Sequence, residues 1–431
     1  MADNILLVCT VGGSPEPLIA SIRHWRPERL IFFPSRETSG DIEAKILPAA
    51  RQEDLPLTTG CWDAFPVPDH QDFVACTRMI RDKNEEIDQW LARGEGYQVV
   101  FDFTGGTKCM TAALALSARR WSCRFSYVGG TERTKNSVGV VVSGREQVLH
   151  CDNPWDVLGY QAVEEAVVLC DNGYHSSAAM MLEKAIKRTT DPGVKREMAS
   201  LKSLAEACDA WDRFDHDKAC DRLDNVRKNI NDFMALFGTK AKDALTAWLD
   251  RNIILLKQLK EHKGKPALAL VHDLLANARR RKGEGRWDDA VARLYRATEA
   301  LAQVRLREKY DIEDTGRAPL DRIPSPLKER WSAKAREGQV ALGLQDDYAL
   351  LLEWGDELGV CFKELKWNIA DEAGVEQPER HSPLVARNRS IWAHGFEPVS
   401  PSVFSGLWAG CLKLAGLREE ALPAFPRLGR V

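Results

Sequence analysis

The sequence predicts a doubly wound α/β domain over residues 1–152 and an all-α remainder: a helical region over 153–284, then a helical bundle over 285–431. Three observations lead there. Short continuous apolar runs recur at 5–9, 30–33, 98–103 and 124–128, separated by helix-length segments. That is the pattern of parallel strands buried on both faces. From about residue 155 such runs vanish, and apolar residues recur at 3.6-residue spacing instead. Near the C-terminus, an Arg–His stretch from Val385 to Gly395 is bracketed by helix start and stop residues.

In the first domain the segments between strands predict helices over 16–25, 40–51, 71–93 and 107–121. The close, 138–142 then Ser143-Gly144 then 147–149, predicts a β-hairpin. In a sheet of this type ligands bind beyond the carboxyl ends of the strands. Two glycine-rich loops stand at that place: Thr10-Val11-Gly12-Gly13-Ser14 after the first strand, and Thr104-Gly105-Gly106-Thr107-Lys108 after the last of the long apolar runs but one. Glycines let backbone approach a phosphate, amides at a helix N-terminus favour an anion, and Lys108 adds a charge. Neither loop is a Walker A or a G-x-G-x-x-G, so triphosphates and dinucleotides are not specifically indicated. Tight strand-to-helix turns are the plain alternative.

The remainder predicts helices over 162–170, 176–188, 195–214, 218–237, 240–262 and 265–281. A loosely similar phrase surrounds Tyr174, Phe214 and Trp287. Its irregular spacing supports stacked helical hairpins but not a regular solenoid. The basic run Arg279-Arg280-Arg281-Lys282 fits either contact with RNA phosphates or a solvated helix end. An amphipathic helix starts at Trp287, a loop or lid covers 311–326, helix returns over 348–357 and 365–368, and a polar loop spans 374–382. A last helix over 403–417 closes the bundle.

Ahead of that closing helix, Ser382 reads as an N-cap, Pro383 as the first helical residue and Gly395 as the stop, giving about three turns. Arg387 and His394 are then seven residues apart and roughly 20° apart around the axis. With Asn388 beside the Arg, such a helix offers a guanidinium, an imidazole and an amide, enough to hold a phosphodiester and move a proton without a metal. The plain alternative is a solvated face with a His favoured by the helix dipole.

Composition sets the bounds. A net charge of −3 exerts no global pull on nucleic acid, so any RNA contact needs a local patch. No signal peptide and no membrane-spanning apolar stretch are present. Eleven cysteines without a C-x-x-C pair or metal-ligand spacing predict reduced thiols in a cytoplasmic protein with no metal site.

Both ends resemble one family. Asp102-Phe-Thr-Gly-Gly-Thr-Lys-Cys-Met110 after a buried strand resembles the ligand loop of CARF domains, the CRISPR-associated Rossmann-like sensors of cyclic oligoadenylate. Arg387-Asn388 through His394 is similar to the R-x(4–6)-H signature of HEPN ribonucleases. Arg389 to His394 fits the short end of that range. Arg387 is preferred because Asn388 follows it and because it shares a predicted helical face with His394.

The architecture thus resembles the CARF–HEPN ancillary ribonucleases of type III CRISPR systems, strongly over 1–150 and 286–431 and weakly between. The resemblance implies a Rossmann-like sensor in which Thr10, Gly12, Gly13, Ser14, Thr104, Gly105, Gly106, Thr107 and Lys108 hold a tetra- or hexa-adenylate ring. That ring is an allosteric activator, and no cofactor is implied. It further implies catalysis by Arg387, Asn388 and His394 on single-stranded RNA, without a metal, by attack of the 2′-hydroxyl, in a homodimer with no membrane attachment. A sensor whose helical half binds a partner or nucleic acid without cutting is the competing reading. A toxin transferring nucleotides to RNA is a third, for which no nucleotidyltransferase pattern exists in the chain.

Overall fold

The computed structural model describes residues 4–51, 60–94, 96–130, 146–262, 265–365 and 383–429. Residues 1–162 with 184–195 form one compact unit, and 163–183 with 196–431 form a second.

The first unit is built on a six-stranded sheet in the order β3-β2-β1-β4-β5-β6. Its strands are β1 (Ile5–Val11), β2 (Arg29–Pro34), β3 (Trp62–Ala64), β4 (Gln98–Asp102), β5 (Arg124–Gly130) and β6 (Glu146–Asp152). The first five run parallel and β6 lies antiparallel to β5. All seven residues of β1 are buried, which is why its run is unbroken by polar residues other than Thr10. Its side chains alternate between faces. Ile5, Leu7, Cys9 and Val11 pack with Leu18, Ile22 and Ile46, whereas Leu6 and Val8 pack with Ile80, Ile87 and Leu114. Each buried apolar side chain contributes about 1.5–3 kcal/mol.

Several expectations are corrected here. The predicted 71–93 helix is two, Phe73–Arg81 and Asn84–Leu91. The Asp82 amide reaches back to the Arg78 and Ile80 carbonyls, tightening the turn, and the redirected second helix buries Ile87 and Trp90. The 40–51 segment is helical from Ser39 but contains a π turn over Ile42–Ile46. Pro48, which lacks an N–H and crowds the preceding turn, stands two residues past the end of that stretch. Strand β3 was not foreseen: it is three residues long and only half-buried. Of the predicted hairpin, 147–149 lies in β6, while 138–142 and its turn at 143–144 fall outside the described residues.

From Tyr160 the chain is helical: Tyr160–Asp171, His175–Arg188, Pro192–Asp212, His216–Lys228, Asp232–Glu261, Leu268–Gly283 and Trp287–Tyr310. The predicted 218–237 helix breaks after Lys228, where the Asn229 side chain takes the Asn225 carbonyl at 3.0 Å. The predicted stop at 237 and restart at 240 hold: Gly238 is non-helical (φ 82°, ψ 173°) and separates two helical stretches within Asp232–Glu261. The three similar phrases each hold a left-handed residue, Gly173 (φ 86°), Phe214 (φ 62°) and Gly285 (φ 73°), at the turn before a helix. A chain reversal there requires that conformation.

Of the Arg279–Lys282 run only Lys282 is exposed; the three arginines are taken up by contacts within the fold. Arg279 donates to the carbonyls of Glu419 (2.9 Å) and Pro423 (3.1 Å). Arg280 bonds Asp212 at 2.6 Å and lies over the Phe425 ring at 4.0 Å. Arg281 pairs with Asp212 and Glu284. These cations fasten the C-terminal tail and the Pro192–Asp212 helix to the Leu268–Gly283 helix.

The C-terminal bundle is centred on Trp287–Tyr310, packed against Leu268–Gly283, Leu344–Glu353 and Pro401–Ala415. The Tyr348 hydroxyl donates to the Thr298 carbonyl at 2.9 Å, locking two of these helices together. The predicted 348–357 helix instead spans Leu344–Glu353, and Gly355 (φ 68°) turns the chain into Glu357–Glu364. The 311–326 segment is not an open lid: it contains short 3-10 turns and a strand pair, Ala318–Pro319 with Gln339–Val340. Leu365 is extended and ends the Glu357–Glu364 helix, while 366–368, the 374–382 loop and the Ser382 cap lie outside the described residues. No described helix is long and apolar enough to cross a membrane.

Candidate functional sites

At the carboxyl edge of the sheet the two glycine-rich loops press on one another. A Cβ on Gly105 would stand 2.6 Å from the Thr10 carbonyl oxygen, and one on Gly12 would stand 2.6 Å from the Gly106 nitrogen. Neither distance admits a side chain, because the opposing atoms are backbone. Gly106 also has φ 90°, where a side chain is strained. Thr10 Oγ1 donates to the Gly105 carbonyl, joining the loops. Thr107 caps the Lys108–Ala118 helix by accepting from the Met110 amide at 3.3 Å, and its hydroxyl donates to the His70 carbonyl.

Thr10, Gly12, Gly105, Gly106 and Thr107 are thus one assembled surface. Gly13, Ser14 and Lys108 are exposed at its rim, and nothing lies within 4 Å of a Cβ placed on Gly13. Thr104 is held from both sides, its amide by Asp102 Oδ1 (3.0 Å) and its hydroxyl by the Val128 amide (2.8 Å).

Beneath the loop, fully buried Asp102 accepts from Ser21 Oγ at 2.6 Å, and the Trp25 indole donates to Ser126 at 3.0 Å. Sequence reasoning missed Ser21, Ser126 and His70, which lie far along the chain from the loop and belong to no motif. Asp102 alone had a local signal, at the end of an apolar strand.

The Arg–His stretch departs from the expected three-turn helix. The helix runs only over Pro383–Arg389. Buried Ser390 ends it: its hydroxyl takes the Arg387 carbonyl at 2.8 Å and accepts from the Trp392 amide at 3.3 Å. The chain then folds back over the helix end. His394 donates its amide to the Asn388 carbonyl (3.2 Å), and Glu397 its amide to the Arg389 carbonyl (3.0 Å). Gly395 permits this, since a Cβ there would sit 2.0 Å from the Arg389 oxygen. Arg387 and His394 therefore do not share a helical face; a backbone hydrogen bond brings His394 to Asn388.

Arg387 Nη1 donates to Asn388 Oδ1 at 3.2 Å, and its guanidinium lies over the Tyr295 ring, 4.3 Å from the centroid. Arg389 faces Glu397 at 4.0 Å. Asn388 and His394 are exposed. Around them Ile391, Trp392 and Phe396 are 63%, 53% and 94% exposed.

Asp347, which acts electrostatically on Tyr295, belongs to no motif and was missed by sequence reasoning. It is fully buried, and neither carboxylate oxygen has a hydrogen-bond partner among the described residues. Burial, then the charges of Glu299 and Asp346, pushes its pKa up to about 8, with Arg296 opposing. Burial likewise raises the Tyr295 hydroxyl, against the pull of Arg387. Among the described residues no group of three or more His, Cys, Asp or Glu side chains forms a metal-ligand set.

Comparison with known proteins matches both parts of the helical region. Residues 259–415 match the family described as the Csm6 HEPN domain, and 158–247 match the Csm6 6H domain. Among solved structures the chain is similar to Enterococcus italicus Csm6 bound to cyclic hexa-2′-fluoro-hexa-dAMP. The TM-score is 0.56 at 12% identity, over 96% of this chain and 95% of that one, a likeness of fold. A match to VC1899 from Vibrio cholerae has a TM-score of 0.25 at 15% identity, over 48% of this chain and 50% of that one. No curated protein matches.

Proposed function

This chain belongs to the CARF–HEPN ribonuclease family of type III CRISPR systems, and on that premise we propose that it cuts single-stranded RNA at Arg387, Asn388 and His394 when cyclic oligoadenylate occupies the glycine-rich loops. The supporting observation is the fold-back that carries His394 to the Asn388 carbonyl beside an Arg387 with no carboxylate partner among the described residues. RNA brings its own nucleophile, the 2′-hydroxyl, so the chain need only position, move a proton and neutralise charge. His394 serves as general acid or base, Arg387 stabilises the phosphorane, and Asn388 orients the guanidinium it already binds. No metal is required, the products carry 2′,3′-cyclic phosphates, and DNA is not cut.

We keep the division into sensor (1–152), helical region (153–284) and nuclease (285–431), in a cytoplasmic homodimer. The exposed Ile391, Trp392 and Phe396 around His394 support a second copy at this end. A tetra- or hexa-adenylate ring on a two-fold axis would then favour one dimer arrangement by population shift.

The test is RNA cleavage with tri-, tetra- and hexa-adenylate rings, with and without EDTA. Cleavage with one ring, insensitive to EDTA and lost in His394→Ala, is expected. Inert wild type with every ring, or full activity of the variant, overturns the reading. Mixing wild-type chains with excess His394→Ala chains tests the dimer: activity per wild-type chain falls as mixed dimers form, and constant activity means each site works alone.

A further inference from the structure

We propose that Tyr295 is the positioning residue for Arg387, its ring face setting the plane in which the guanidinium meets the scissile phosphate. This rests on the reading of Arg387 as the group that neutralises that phosphate.

Three observations carry it. The guanidinium carbon lies 4.3 Å from the Tyr295 ring centroid. Among the described residues its polar contacts are otherwise sparse: Nη1 reaches Asn388 Oδ1 at 3.2 Å, and Nε is buried with no hydrogen-bond partner. The aromatic face is therefore the main restraint on its orientation. The ring itself is anchored, because Tyr295 sits on Trp287–Tyr310 between buried Leu294 and Ala297. One residue further along, Thr298 accepts from Tyr348 and meets Cys411 at 3.0 Å.

The choice of an aromatic face has a chemical consequence. An arginine paired with a carboxylate spends part of its charge before substrate arrives; a ring holds it by its quadrupole and leaves the guanidinium charge uncompensated for phosphate oxygens. Asp347 fits this picture. It bears electrostatically on Tyr295, yet burial keeps it protonated near neutral pH, so it does not draw the guanidinium away. The Tyr295 hydroxyl makes no hydrogen bond among the described residues, so the ring should be what matters.

The experiment uses the full chain at saturating activator and compares Tyr295→Phe with Tyr295→Leu for kcat and KM on single-stranded RNA. Tyr295→Leu should lose roughly tenfold or more in kcat with a smaller change in KM, since a guanidinium displaced by about 1 Å is costly in the transition state. Its half-activating concentration of activator should be unchanged. Tyr295→Phe should stay within about threefold of wild type. If Tyr295→Leu melts early, Tyr295→Met decides by the same criterion. An unchanged kcat in the aliphatic variant overturns the proposal while leaving the ribonuclease reading intact. So does a Phe variant as impaired as Leu, which would assign the role to the hydroxyl. Wild type that cuts no RNA overturns both.

Discussion

The loops at the sheet edge and the Arg–His turn at the far end of the chain both suit a phosphate, yet they are built in opposite ways. At the sheet edge the chain supplies its own partners. Thr10 bonds Gly105, Thr104 is held by Asp102 and Val128, and Thr107 by Met110 and His70. At the Arg–His turn Arg387 Nε is buried with no partner among the described residues and three large apolar side chains are exposed, while Asp347, which bears on Tyr295, is likewise buried with no partner among them. The first surface is preorganised by a single fold. The second carries uncompensated groups, which a folding chain tolerates where function needs them. On the reading proposed above, RNA and a second copy complete it.

The largest effect that would break this contrast is at the incomplete end. His394→Ala should lower activated RNA cleavage by at least about 10²-fold, the usual scale for a proton-transfer group, while its thermal stability stays near wild type. A large drop in melting temperature would mean that the turn is structural after all.

At the complete end, room is the limiting quantity. Gly106→Val places a branched side chain at φ 90° against Thr10 and Met110, and Gly105→Ala drives a Cβ into the Thr10 carbonyl. Each should destabilise the sensor by about 1–3 kcal/mol and raise the activator needed by more than tenfold, with Val the harsher. Calorimetry with activator titration checks it; wild-type behaviour in both would mean that the loops need not touch.

Asp347 sharpens the contrast through pH. Its folded pKa of about 8 lies above the unfolded value of about 4, so the unfolded chain holds fewer protons between these limits. Its contribution to stability therefore falls as pH rises from 4 to 8, by on the order of 1 kcal/mol per unit at most, and is level outside that window. Asp347→Asn removes the dependence, so the variant should gain on wild type as pH rises. A melting-temperature difference that stays flat from pH 4 to 8 would show that the acid is already compensated.

The smallest effect is at the rim. Lys108→Ala should raise the half-activating concentration by roughly 3–10-fold, as expected for one charge-assisted contact, while cleavage at saturation is nearly unchanged. A fall in the saturated rate would place Lys108 in the signal to the nuclease, and no effect at all would place the ligand elsewhere.

Much of the first unit was written in local pattern. Strands buried on both faces must be apolar throughout, so β1, β2, β4 and β5 stood out, and loops that must touch backbone to backbone had to be glycine. The repeated phrases marked chain reversals for the same local reason. What periodicity left open was where a helix stops and what its charges face.

The helix at Pro383 looked able to run to Gly395, because nothing in a 3.6-residue pattern reveals that Ser390 will capture the Arg387 carbonyl and turn the chain back. The Arg279–Lys282 run looked exposed, because its partners Asp212, Glu419 and Phe425 are remote in sequence. Tyr295 and Asp347 carried no signal for the same reason. Backbone conformation is decided over a few residues and leaves its mark there, whereas the partner of a long charged side chain is decided by packing, which joins residues that sequence keeps apart.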